Sequence, residues 1–387
     1  MNKITIWAIC ILLGLIIQSI GCNPVESTEE KIEEMPADSP TRVGPEGFNS
    51  TLGYYGTSPE SPDGTMIAYV KLLQETEADR YEMVPAELWV CNSDLSKHRK
   101  IISLNPLVVH NGARVQWVDN QTIAYSDDKI RVVDLDGNAV ITAVDGRIGH
   151  HAHDGKIIYA AEDPETNLYS IYEINVKTDQ KSALGNVMDF QGLLNYFNDP
   201  EMIDVKDWRI LHLQYSLDGS KIAFRMDVGP RMEPYKHLVT MDINGDNIHY
   251  FGPKPMHFAW YDNESIMGHD NQIEDGNLND RSLRRWDLDR NFIETLAGPG
   301  NHLGATEDRQ YFGSESWYGE SPIIVRVFRK NQLEPIWQDI ASNVSHTTWT
   351  LRYHTNPSFS RDGKRVYYNK CVAPGKVAVY MAILPTE

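Results

Sequence analysis

The chain has 387 residues, with 54 acidic against 36 basic side chains and a formal charge of −18 at pH 7. That balance excludes nucleic acid as a partner, because phosphate binding needs a basic face; an anionic ligand would require a local basic pocket. The four cysteines form no CxxC pair, which excludes a cysteine-framed zinc module.

In chain order, residues 1–21 read as an export signal: Asn2-Lys3, an apolar run over 4–17, then Gln18-Ser19-Ile20-Gly21 before Cys22. Cysteine directly after glycine resembles the lipobox of bacterial lipoproteins, with Ser19 where that motif carries leucine. The resemblance implies that Cys22 is lipidated and begins the mature chain, in the cell envelope on a periplasmic or extracellular face, touching the membrane through its lipid alone. An uncleaved anchor over 4–20, at the short limit for spanning, and ordinary secretion are the alternatives. Residues 22–47 are rich in Glu, Pro and Ser and lack apolar periodicity, so they are expected to form a solvated acidic tether. The two remaining cysteines, Cys91 and Cys371, are read as separate thiols, although export permits a disulfide.

Residues 48–387 carry a repeat, and its architecture follows from the local chemistry. The unit is a short strand, an Asp-Gly or Asp-Asn turn that supplies positive φ, and a strand rich in Ile, Val, Tyr and Phe. His212-Leu-Gln-Tyr-Ser-Leu-Asp218-Gly219, Asn356-Pro-Ser-Phe-Ser-Arg-Asp362-Gly363 and Thr57-Ser-Pro-Glu-Ser-Pro-Asp63-Gly64 are the clearest copies. Weaker ones begin at Arg114, near His150, at His257 and at His302. Third strands follow most copies, some ending in a further turn such as Asp136-Gly137 or Asn244-Gly245. The commonest step between starts is 45 residues, which suits a four-stranded propeller blade. An all-β fold is therefore predicted: a single seven-bladed β-propeller. Its last unit, 356–383, has room for three strands, so an N-terminal strand within 48–56 is expected to close the ring and remove an exposed edge. Helix is expected only as one-turn pieces within 186–208.

Ser61-Pro62-Asp63-Gly64 and its copies over 57–383 resemble the TolB-type propeller repeat, which is specific for architecture and hosts many functions. Over 205–383, the blades opening on His212, His257 and His302, with the closing Asn356-Pro-Ser-Phe, resemble the oligogalacturonate lyase propeller family. That resemblance implies metal-assisted β-elimination on a uronate oligosaccharide, with Mn2+ or another divalent cation held by histidines and a glutamine. His302 and His354 match metal-binding positions; His257 and His212 are next, as ligands or substrate-carboxylate contacts. Arg114 and Arg352 are expected to assist. The chain departs from the family where Asn356 replaces a second histidine and where Thr350-Leu351-Arg352 stands instead of the glutamine. Arg209 and Arg231 neighbour the right unit without matching the base.

The site expectation rests on geometry. The first strands of the blades line one channel, so side chains in equivalent slots share one space. His212, His257 and His302 hold such slots, with Arg114 in an earlier blade and His150/His151 close by. Converging imidazoles suit a transition metal. The competing reading has each imidazole bonded to a neighbouring blade, rigidifying the channel. A non-catalytic TolB-like scaffold for envelope proteins or glycans is the alternative function. Two other segments stand out: the aromatic insert at 186–209, including Tyr196, reads as a packed plug, and the acidic run at 269–285 as a loop without the EF-hand glutamate. No Gly-x-Ser-x-Gly elbow, Rossmann fingerprint or P-loop is present.

Overall fold

A computed structural model describes residues 39–75, 82–109, 112–196, 204–229, 235–253, 255, 257–269, 281–316, 322–342 and 354–385. Cys22, Arg231, Arg352 and the acidic run 270–280 lie outside the described residues.

Among the described residues the strands form five antiparallel sheets of four and one of eight, the latter being two quartets joined by a parallel bridge between Ser342 and Cys371. Seven quartets result; the first six run from channel to rim in sequence order, as the repeat predicts. The fourth is Arg209–Tyr215, Lys221–Val228, Tyr235–Asp242 and His249–Gly252. The sixth is Leu303–Ala305, Tyr311–Glu315, Ile323–Arg329 and Pro335–Ser342.

The seventh quartet closes the ring in a place the sequence reading missed. Its outer strand is Thr41–Arg42, paired with Met381 and Tyr380 of Lys376–Ile383. Residues 48–56 are needed elsewhere: Asn49–Thr51 is the inner strand of the first blade, paired with Met66–Leu72. The closing strand therefore comes from one step earlier in the chain, inside the stretch read as tether.

The turns do what their residues dictate. In the Ser216–Gly219 turn the Ser216 hydroxyl donates to Asp218 (2.9 Å), Gly219 takes φ +71°, and its N–H donates to the Ser216 carbonyl. The Ser61 and Ser360 hydroxyls repeat the bond to Asp63 and Asp362 (both 2.6 Å). Blades are then stitched laterally. Gln116 donates to the Gly149 carbonyl (2.9 Å), and Gln214, at the same repeat position, donates to the Phe258 carbonyl (2.8 Å). Between blades lies an apolar core of Ile, Val, Leu and aromatic side chains. Within the insert, Val187–Tyr196 and Val205–Asp207 form short 3₁₀ turns, and Phe190 and the following Trp208 are fully buried in that core; residues 197–203 and the Tyr196 side chain lie outside the described residues. Cys91 and Cys371 are both free thiols.

Candidate metal centre at the channel mouth

Backbone irregularity aims the slot residues into the channel. Arg114, His212 and Asn356 sit at equivalent points and all take left-handed φ (+47°, +56° and +45°). At His212 the ladder to Lys221–Val228 slips between Leu211 and Gln214. Such a bulge re-aims a side chain and costs about 1 kcal/mol or more, so it persists where surrounding structure enforces it.

The imidazoles meet. His257 and His302 have ring centroids 4.2 Å apart, and His302 and His354 4.1 Å. His150 Nε2 and His212 Nδ1 are 3.2 Å apart and share a hydrogen. Between the groups lie two tyrosines from the segment that enters the channel after the first inner strand. Tyr54 stacks on His212 (5.5 Å) and meets His302 edge-on (6.1 Å), while Tyr55 contacts His150, His212, His257 and His302. Beyond this layer, toward the Asp-Gly turns, the channel widens to a cavity of about 490 Å³ that includes Gln116, His151 and Ser216 in its wall.

Glu315 organises one side of the cluster. It ends Tyr311–Glu315, whose pairing of Ser314 with Leu303 sets residue 315 beside residue 302. One carboxylate oxygen accepts from His302 Nδ1 and lies 3.7 Å from His354 Nδ1. The other accepts the Thr355 backbone N–H (2.8 Å) and the Thr355 hydroxyl, across the seam into the last blade. Burial alone would raise the Glu315 pKa, but the charge and hydrogen bond of His302, with His354, hold it well below the usual range. The group is an ionised, fixed carboxylate. Ser314, in turn, bonds His269 Nε2 (2.9 Å), whose Nδ1 donates to the Arg281 carbonyl (2.9 Å). His269 is thus a buried support for Ser314.

Burial, with neighbouring cations adding, pushes the His150, His212 and His257 pKa values well below 6.5. Their rings are neutral at pH 7 and keep lone pairs. Arg225 contributes to this at His212 and His257; Asp227 holds its guanidinium through two bonds (2.7 and 3.2 Å).

The donor set fits a divalent metal. His302, Glu315 and His354 each offer one ligand atom within 4.8 Å of the others, all buried. His257 Nδ1 beside them is buried without a hydrogen-bond partner among the described residues, an expensive state unless something else binds it. Two or three imidazoles plus a carboxylate suit Mn, Fe or Zn. Because Glu315 engages His302 Nδ1, it also acts as the outer partner that orients a ligating imidazole.

The structure thus brings His212, His257, His302, His354 and Arg114 to one mouth. Sequence reasoning missed Glu315, Arg225 and the two tyrosines. For Glu315 a signal existed, since closing the hairpin around Asp308 sets 315 opposite 302. Tyr54 and Tyr55 lie just upstream of the repeat slot at Thr57, outside any repeated pattern. Asn356 takes its slot with its amide toward the Gly53 carbonyl (3.4 Å).

No family model matches the chain, and no curated protein matches it in sequence. Among solved structures, an oligogalacturonate lyase in complex with manganese superposes with TM-score 0.63 at 15% identity, covering 90% of this chain and 95% of that one. An oligogalacturonate lyase from Vibrio parahaemolyticus gives TM-score 0.59 at 12% identity, over 89% and 93%. TolB from Acinetobacter baumannii gives 0.43 at 13% identity, over 82% and 80%, too distant to weigh. At these identities what is shared is the propeller fold: the chain is a β-propeller similar to oligogalacturonate lyases, with a buried His/Glu/His cluster fit to hold a metal.

Proposed function

We propose that this protein is a lipid-tethered, extracytoplasmic lyase that cleaves a uronate-containing oligosaccharide by β-elimination at the histidine-lined mouth. The observation that carries the reading is the convergence of His257, His302 and His354 around the ionised Glu315. Those imidazoles, with Glu315 as ligand or orienting partner, would hold a divalent cation such as Mn2+. When bound, it supplies charge neutralisation of the uronate carboxylate, which acidifies the neighbouring C–H.

The chain's own groups account for the rest. His212 is unprotonated at neutral pH and bonded to His150, so it is assigned as the base that takes the proton. The C–H bond breaks, its electron pair forms the new C=C bond, and the adjacent glycosidic C–O bond breaks, the leaving oxygen taking a proton from solvent water while His212 later returns its own to solvent. Arg225, locked by Asp227, adds fixed positive charge beside the developing anion. Tyr54 and Tyr55 exclude water from the floor.

A binding-only scaffold is the second reading, favoured by Asn356 in place of a histidine. One assay separates the two: ultraviolet absorbance of unsaturated product from pectic, ulvan and alginate oligosaccharides with Mn2+. Product is expected from at least one, with His212→Asn lowering kcat roughly 10²- to 10⁴-fold. No product from any of them, with no metal in the purified protein, overturns the lyase reading.

A further inference from the structure

The channel has a second end. Beyond the Tyr54–Tyr55 layer lies the cavity of about 490 Å³, walled by inner strands and their turns; His302, Glu315 and His354 are not part of its wall. Basic groups outnumber acids there. Arg309, Arg361, His151 and His153 line it, and among the described residues Glu307 is the one carboxylate that does. Glu307 is already spent on Arg361 Nη1 (3.1 Å). Arg309 has no carboxylate within ion-pair distance among the described residues. It donates instead to the backbone carbonyls of Tyr261 (3.0 Å), Trp260 (3.1 Å) and Thr306 (2.6 Å). Those bonds fix the plane of the guanidinium and leave its charge unneutralised, with a second N–H on each terminal nitrogen.

The wall also holds an orphaned acceptor and an orphaned donor. Gln116 is 1% exposed, and its Nε2 donates to the Gly149 carbonyl (2.9 Å), which fixes the amide; its Oε1 has no donor among the described residues. Arg361 Nε is buried with no acceptor among them. Each unmade bond costs free energy, and a buried cation without an anion costs more. Burial, then His153, Arg361 and Arg309, pushes the His151 pKa down to about 4, so these cations act on one another across the cavity.

One kind of molecule relieves all of this at once: an oxyanion accepts from the guanidiniums, and a hydroxyl donates to Gln116 Oε1. Water supplies a donor but no charge. The volume suits a small ligand, and Trp117 and Phe359 in the wall offer apolar surface to a short carbon skeleton. We propose that this cavity is a binding site for a small hydroxylated oxyanion, a hydroxycarboxylate or a phosphorylated polyol, held by Arg309, Arg361 and Gln116. The site is independent of the lyase reading, since it needs neither metal nor cleavage.

The test is calorimetric titration of the purified protein with glycerate, glycerol 3-phosphate, propionate and glycerol. Glycerate or glycerol 3-phosphate is expected to bind, and the tighter of the two identifies the oxyanion. Propionate lacks the hydroxyl and glycerol lacks the charge, so both should bind roughly 10-fold or more weakly. Arg361→Gln should weaken anion binding roughly 10- to 100-fold, and Gln116→Leu should reduce glycerate to the level of propionate. Glu307→Gln is the decisive variant. Its side chain is exposed, so the fold is spared, and losing the carboxylate frees Arg361 Nη1. Anion binding should tighten roughly 2- to 5-fold. Matching melting temperatures establish that the other variants are folded, and Glu307→Gln carries the test whether or not they are. No binding of either hydroxylated anion at millimolar concentration, glycerol binding as tightly as they do, a folded Arg361→Gln that binds like wild type, or a Glu307→Gln protein that binds no more tightly than wild type would each overturn the site.

Discussion

Glu315 shows how much one side chain can decide. It is buried, ionised and bonded on both oxygens, so replacing it changes the orientation of His302 rather than emptying a cavity. Glu315→Gln is isosteric and removes the charge. It is expected to lower metal affinity roughly 10- to 100-fold, as loss of an outer partner does, read by metal content after dialysis against a buffered Mn2+ series. A metal affinity equal to wild type would mean that the carboxylate serves folding alone. His237 makes a different residue-scale point, away from the mouth. It lies fully buried on Tyr235–Asp242, and desolvation, with Arg290 adding, pushes its pKa down to about 4. An unfolded histidine titrates near about 6.5. The unfolded state therefore binds the extra proton between those values. The neutral ring's contribution is complete above about pH 6.5 and is lost as pH falls toward 4. The urea midpoint should drop from pH 7 to pH 4.5, and His237→Gln should drop less over the same interval.

At the scale of elements, the repeat turn is the unit that makes the propeller. Gly219 takes φ +71°, and a Cβ there would lie 2.3 Å from the His153 ring of the preceding blade. Gly219→Ala thus combines backbone strain with a clash, and a loss of about 1–3 kcal/mol is expected, measured by urea denaturation. These turns were legible because Asp-Gly chemistry is local. The slot histidines were legible because a 45-residue step repeats them. Glu315 needed a hairpin register, a pairing property that composition does not carry. Tyr54 and Tyr55 needed the path of a connecting segment, which has no periodicity. The closing strand was misplaced for a related reason: a two-residue strand such as Thr41–Arg42 has no alternation to read, and its partner lies at the far end of the chain.

For the whole molecule, closure is reinforced by a buried latch. Glu60 of the first blade is fully buried and accepts from the Tyr367 hydroxyl (2.5 Å), Arg365 Nη2 (3.0 Å) and the Arg361 backbone N–H (2.8 Å) of the last. Removing one partner of a buried, bonded charge costs about 3–5 kcal/mol. Glu60→Gln should lower the melting temperature by several degrees without altering metal content, since the latch is built from residues outside the cluster. A variant that melts with wild type would show that the strand pairing alone keeps the ring shut.

The placement of Thr41–Arg42 also gives the molecule a mechanical weak point. This strand, with Val43 N–H donating to the Val379 carbonyl just beyond it, is held to its neighbour by only a short ladder. A few residues further on, the same stretch of chain becomes Asn49–Thr51 and then delivers Tyr54 and Tyr55 into the ring of imidazoles. Tension applied at the N-terminus would peel the outermost strand bond by bond, then load the pair of aromatic rings that floor the mouth. Traction on that strand is thereby geared to the chemistry at the centre.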